Sequence, residues 1–103
     1  MRVEWTLQAK TAVRYTIKYV EDKFGPRAKL SLAREIVVSE HILASNPRLG
    51  KIEPLLQDRA VTYRSLIVKK LNKIVYRIEN DSIIIVDLWN LRRNPENLRK
   101  QVQ

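Results

Sequence analysis

Hydrophobic and polar positions change their period part-way along the chain. Arg2 to Trp5 reads as a short extended segment, a first strand. Thr6 follows where a helix N-cap belongs, its hydroxyl available to an orphan backbone N–H. From there Ala9, Ala12, Val13, Thr16, Ile17, Val20 and Phe24 recur at the spacing of one helical face, and Lys10, Arg14, Lys18, Glu21 and Asp22 take the other. Gly25-Pro26 ends this helix and begins the next, because Gly tolerates a left-handed cap and Pro suits a first helical turn. The second helix should run to about Ser45, with Leu32, Ile36, Ser39 and Leu43 on one face and Ala33 and Val37 beside them. So short a link predicts an antiparallel hairpin. Asn46 to Gly50 closes the second helix, and Pro54 and the mixed polarity of Lys51 to Asp58 suggest a continuing loop.

After about Ala60 the period becomes two. Val61 to Val68 is rich in β-branched residues, and Lys70-Leu71-Asn72 suits a turn. In Lys73 to Glu79, Ile74, Tyr76 and Ile78 face one way and Lys73, Arg77 and Glu79 the other. Asn80-Asp81 suits a two-residue hairpin turn. Ile83-Ile84-Ile85-Val86, extended by Leu88 and Trp89, predicts a strand buried on both faces. Asn94-Pro95-Glu96 reads as the cap and first turn of a short last helix. The order β-α-α-β-β-β predicts an α+β fold, an antiparallel helical hairpin on one face of a mainly antiparallel sheet. With 103 residues, one domain spanning 1–103 is expected.

Composition narrows the chemistry. The chain has no Cys and one His, His41, so disulfides, thiolate catalysis and a metal site are not expected, and neither is a cofactor. No apolar stretch approaches a membrane span, and the N-terminal residues carry no signal-peptide pattern, so a cytoplasmic protein without a membrane partner is expected. The net charge is +9, and it is uneven: residues 1–47 hold eight basic and five acidic groups, residues 48–103 twelve and six. Such a field favours a polyanion or an acidic protein partner, although charge also serves solubility.

Four short segments carry more specific information. They are Phe24-Gly25-Pro26, Leu43 to Gly50 with the pattern L-x-x-x-P-x-x-G, Lys73 to Ile78 with Tyr76-Arg77-Ile78, and Trp89 to Glu96 with Arg92-Arg93-Asn94-Pro95. In this order and at these spacings the chain resembles the RelE/ParE superfamily of toxins along nearly its whole length. The resemblance implies a toxin of a type II toxin–antitoxin module, of the plasmid-stabilisation kind, that inhibits growth until a cognate antitoxin neutralises it. ParE-like members act on DNA gyrase, and RelE-like members cut messenger RNA on the ribosome. A third outcome is an inactive binding module of the same fold.

The branches demand different residues. RNA cleavage needs a base, an acid and a cation for the phosphorane charge. The resemblance puts Lys73 where the ribonucleases usually have Arg, and Arg92 and Arg93 would hold phosphate. Lysine keeps the charge but loses the bidentate fork. The Tyr or His that many active members carry after the last strand is missing beyond Leu88. The ribonuclease constellation is therefore incomplete, and the reading leans to a ParE-like toxin acting by binding. Lys69, Lys70 and Lys73 around the strand turn would then form a basic rim, which Arg64 and Arg77 would extend if both point away from the helices, and Arg92 and Arg93 would contact the target or its phosphate. Each also has a plainer role as a solvated turn or strand-edge charge. An acidic, amphipathic antitoxin segment would suit an apolar groove beside such a rim. Tyr15 and Tyr19, four apart on the first helix, either meet that segment or complete the helical pair.

Overall fold

The computed structural model describes residues 1–92 and 95–102, with the backbone alone at Pro95 and Glu96. Strand β1 (Arg2–Trp5) leads into helices α1 (Leu7–Phe24) and α2 (Pro26–Ser45), then β2 (Lys51–Ile52), a single 3-10 turn (Pro54–Leu56), β3 (Tyr63–Val68), β4 (Asn72–Glu79), β5 (Ser82–Asn90) and helix α3 (Pro95–Gln101). The Thr6 hydroxyl accepts the Ala9 N–H at 3.1 Å and so caps α1. Gly25 sits between the helices at φ +91°, a backbone region that an L side chain rarely adopts, and its N–H donates to Glu21 O. Leu32, Ile36, Ser39 and Leu43 are the buried positions of α2, as their spacing predicts.

The strands form one sheet in the order β1-β5-β4-β3-β2. β1 runs parallel to β5, and the other pairs are antiparallel. β5 therefore lies between the first strand and the β3–β4 hairpin, and it is buried from Ile83 to Trp89 except at the half-buried Ile84. Between Val75 and Tyr76 the β4–β5 register slips: Val75 pairs with Asp87 and Tyr76 with Ile85, leaving Val86 as an extra residue. Such a bulge bends the strand and sharpens its twist.

Two cores result. Ile74, Tyr76, Ile83, Ile85 and Leu88 pack under the helical hairpin against Ala9, Leu32, Ile36 and Leu43. On the opposite face Tyr63, Val75, Val86 and Trp89 are closed over by Leu56 of the 3-10 turn and by Leu98 and Val102 at the C-terminal end. The expected loop after α2 thus contains β2 and the turn, and α3 returns to cover the face the helices leave bare. The predicted turn begins one residue early, at Lys69, and Asn72 opens β4.

Candidate functional site

An open groove of about 770 Å³ runs between α1 and the C-terminal end of β5. One wall is α1, with Thr11, Tyr15, Tyr19 and Phe24; the other comes from Leu71, Asn72 and Arg92 around the β3–β4 turn. Its aromatic side chains face solvent to an unusual degree: Tyr15 is 71% and Phe24 63% exposed. Helical periodicity puts Phe24 on the packed face; in the structure it lines the groove instead. β1 pairs with β5 only over Ser82–Ile85, so no strand among the described residues lies along the outer edge of Asp87–Asn90, beside the groove. At its inner end, Asn72 is 95% buried, and its Oδ1 has no hydrogen-bond partner.

The turn at the groove mouth holds two consecutive lysines in the left-handed region, Lys69 at φ 52° and Lys70 at φ 67°. Neither carries the short polar side chain that makes this region tolerable, so the turn is strained. Leu71 and Asn72, which follow the turn, line the groove across from α1. Leu71 O accepts the Leu91 N–H at 2.8 Å, which ties the turn to the segment bearing Arg92. The Arg92 N–H in turn donates to Asn90 Oδ1. Lys69, Lys70 and Arg92 are thus exposed at one end of the sheet. Lys23 adds a further cation above the Tyr19 ring, 5.9 Å from its centroid. Arg93 lies outside the described residues.

Arg64, Arg77 and Lys73 do not join this rim. Cross-strand partners share a face, and Arg64 pairs with Tyr76 while Arg77 pairs with Tyr63. The two arginines therefore point to opposite faces of the sheet, and the shared rim they would have formed does not exist. Arg64 is turned to the α2 exit, where it donates to Gly50 O at 2.9 Å and to Arg48 O at 3.5 Å. Arg77 pairs with Glu79 at 2.8 Å.

Lys73 stands on the face closed by α3. Its ammonium donates to Glu53 Oε1, and both residues are buried. Burial alone would push the Glu53 carboxyl up. Hydrogen bonds from Lys73 and from the Leu55 N–H, the Lys73 charge and the Ser65 hydroxyl outweigh it and hold the carboxyl below its ordinary range. The lysine that a nuclease reading would set on RNA is committed to a buried carboxylate.

The α2 exit is built around Tyr76. Its Oη accepts the Gly50 N–H at 2.9 Å and donates to Pro47 O at 2.7 Å. Burial raises the phenol's pKa, only partly offset by the Gly50 hydrogen bond and the Arg64 charge, so the hydroxyl stays protonated and able to donate. Two of the four sequence segments, distant in the chain, meet at this one side chain.

The model of the ParE toxin of type II toxin–antitoxin systems, parDE, matches residues 3–95. The chain belongs to the ParE toxin family. Solved structures share the family's fold. A chain of a chromosomal ParDE toxin–antitoxin system from P. aeruginosa aligns with a TM-score of 0.71 at 18% identity, covering 89% of this chain and 97% of that one. A YoeB/ParE toxin from Agrobacterium tumefaciens aligns with a TM-score of 0.60 at 20% identity, covering 87% and 98%. No curated protein matches the sequence.

Within this ParE fold, the sequence singles out Lys69, Lys70 and Arg92, which lie beside the groove, and Tyr15 and Tyr19, which line it. Sequence reasoning misses Asn72, read as a turn residue, and Phe24. Tyrosines standing among Lys10, Arg14 and Lys18 were the available signal. Asn72 gives none, because its lack of a partner is a property of packing.

Proposed function

We propose that this chain is a ParE-like toxin that acts in the cytoplasm by binding a large cellular target such as DNA gyrase, and that a cognate antitoxin neutralises it. The burial of Lys73 against Glu53, on the face covered by α3, carries the choice of a binding toxin over a ribonuclease. A general base must reach the 2′-hydroxyl proton, and this lysine faces the protein interior. The exposed cations Lys69, Lys70 and Arg92, with Arg93 beside them in sequence, remain as the target-binding group. The aromatic groove beside them suits an acidic, amphipathic antitoxin segment that folds as it binds, so that one partner covers both groove and rim.

A purified supercoiling assay tests the target. Excess chain should inhibit gyrase, and Arg92→Ala combined with Arg93→Ala should weaken inhibition by about tenfold or more, the scale of losing one or two charge-assisted contacts. Supercoiling unimpeded by excess wild-type chain removes the gyrase reading. Codon-associated cuts in messenger RNA on translating ribosomes would transfer the chain to the ribonuclease branch.

A further inference from the structure

Asn72 has a feature that its role in the fold does not explain. Buried side-chain oxygens nearly always find a donor, and those that do not point to a missing partner or a functional strain. Among the described residues, Asn72 Oδ1 is the only buried side-chain polar atom without one. It lies at the inner end of the groove, on the helix-facing side of β4, and follows directly on the strained Lys69-Lys70 turn. An apolar residue there would extend the packing of Val68 and Leu88 at no polar cost. The turn and the orphan acceptor both reduce the stability of the free chain, and both sit at the same place.

We infer that Asn72 is the polar anchor for the antitoxin segment and a determinant of which segment the groove accepts. The occupant is an acidic amphipathic segment. It lays apolar side chains on Tyr15, Tyr19, Phe24 and Leu71, and it presents one hydrogen-bond donor, a side-chain amide, hydroxyl or ammonium group, to Asn72 Oδ1. Asn72 lines the groove, so a donor seated there lies beside its side chain. Charge complementarity favours an acidic partner, since Lys23, Lys69, Lys70 and Arg92 stand around the groove in a chain of net charge +9. Specificity follows from the bond gained: a segment with an apolar side chain at this point leaves the acceptor unpaired, as it is in the free chain, and forgoes the affinity that the donor supplies. This inference rests on the antitoxin reading of the groove.

The test uses the full chain and the purified product of the open reading frame beside its own. Calorimetric titration should show Asn72→Leu binding about tenfold more weakly than wild type, the loss of one buried hydrogen bond. The free Asn72→Leu chain should melt at a higher temperature than wild type, because its orphan acceptor is gone. Opposite signs on affinity and stability are not expected of a side chain that only supports the fold. In the wild-type chain, the carbonyl-carbon NMR resonance of the Asn72 side chain should shift on saturation as its oxygen gains a donor, a readout independent of how any variant folds. A folded Asn72→Leu chain that binds as tightly as wild type, or a resonance that does not move in the complex, overturns the anchor and leaves the antitoxin reading intact. Failure of the wild-type chain to bind the neighbouring product overturns both.

Discussion

Single residues hold this fold at places where the chain crosses itself. A Cβ at Gly50 would lie 2.7 Å from both Cε1 and Oη of Tyr76 and 2.8 Å from the Ser65 carbonyl oxygen. The ring is fixed by two hydrogen bonds and the carbonyl belongs to the sheet, so neither can yield cheaply. Gly50→Ala should therefore destabilise the chain by about 2 kcal/mol or more, the range of overpacked cores, as read by urea denaturation. The Glu53–Lys73 pair makes a second such crossing. Lys73→Met should cost about 3 kcal/mol by stranding a buried carboxylate, and a double variant with Glu53→Leu should regain most of that loss. The folded Glu53 carboxyl titrates below its ordinary value of 4.5. Its contribution is thus fully present above that pH and is lost as pH falls through the folded pKa. Acid unfolding of wild type should steepen below about pH 4.5, and Glu53→Gln should remove that part of the slope. The sequence shows the spacing that marks Pro47 and Gly50, but not why Gly50 is required. It shows neither half of the ion pair, because Glu53 falls in a stretch that reads as a polar loop, and Lys73 alternates as a surface residue would.

At the scale of elements, periodicity served best where one face is buried and the other wet. The buried quartet of α2 and the doubly buried β5 are plain in the sequence for that reason. β2 was invisible, since two exposed residues make no pattern. The second core was hidden because its parts are scattered: Val75 and Val86 need Leu56, Leu98 and Val102 to cover them. α3 is held there by reciprocal arginines. Arg59 donates to Arg99 O at 2.6 Å and to Val102 O at 3.0 Å, and Arg99 donates to Leu55 O and to Asp58, each at 2.8 Å. Leu98→Ala should cost about 2–4 kcal/mol, the price of a cavity in a sealed core. Arg59→Ala should loosen α3 without unfolding the sheet, seen as faster acrylamide quenching of Trp89, which lies beneath the helix and is 2% exposed. Quenching unchanged from wild type would show that α3 is held in place without Arg59.

For the whole molecule, net charge was legible from composition, but its distribution was not. Strand register decides that Arg64 and Arg77 part company, and register is fixed by turns and packing rather than by any local residue. Lys23, Lys69, Lys70 and Arg92 stay exposed beside the groove, and other exposed cations, Arg2, Arg34, Arg48 and Lys51 among them, lie elsewhere on the surface. Association with an acidic partner should accordingly be steered by long-range attraction, its rate falling about tenfold from 0.05 to 0.5 M salt while dissociation changes little. Stopped-flow mixing across that range measures both rates, and a salt-independent association rate would argue against the steering.

The parallel pairing of β1 with β5 sets a schedule for the nascent chain. Arg2 is synthesised about eighty residues before its partner Ser82. At about 10 residues per second, that is a wait of roughly eight seconds. From the completion of α2 at Ser45 until then the helical hairpin lacks β5, on which it packs, and the groove, whose edge is β5, does not exist at all. A ribosome that stalls early releases a fragment with neither the rim's Arg92 nor a place for a partner. The groove is thus completed in one late step, when the fifth strand slides in beside the first.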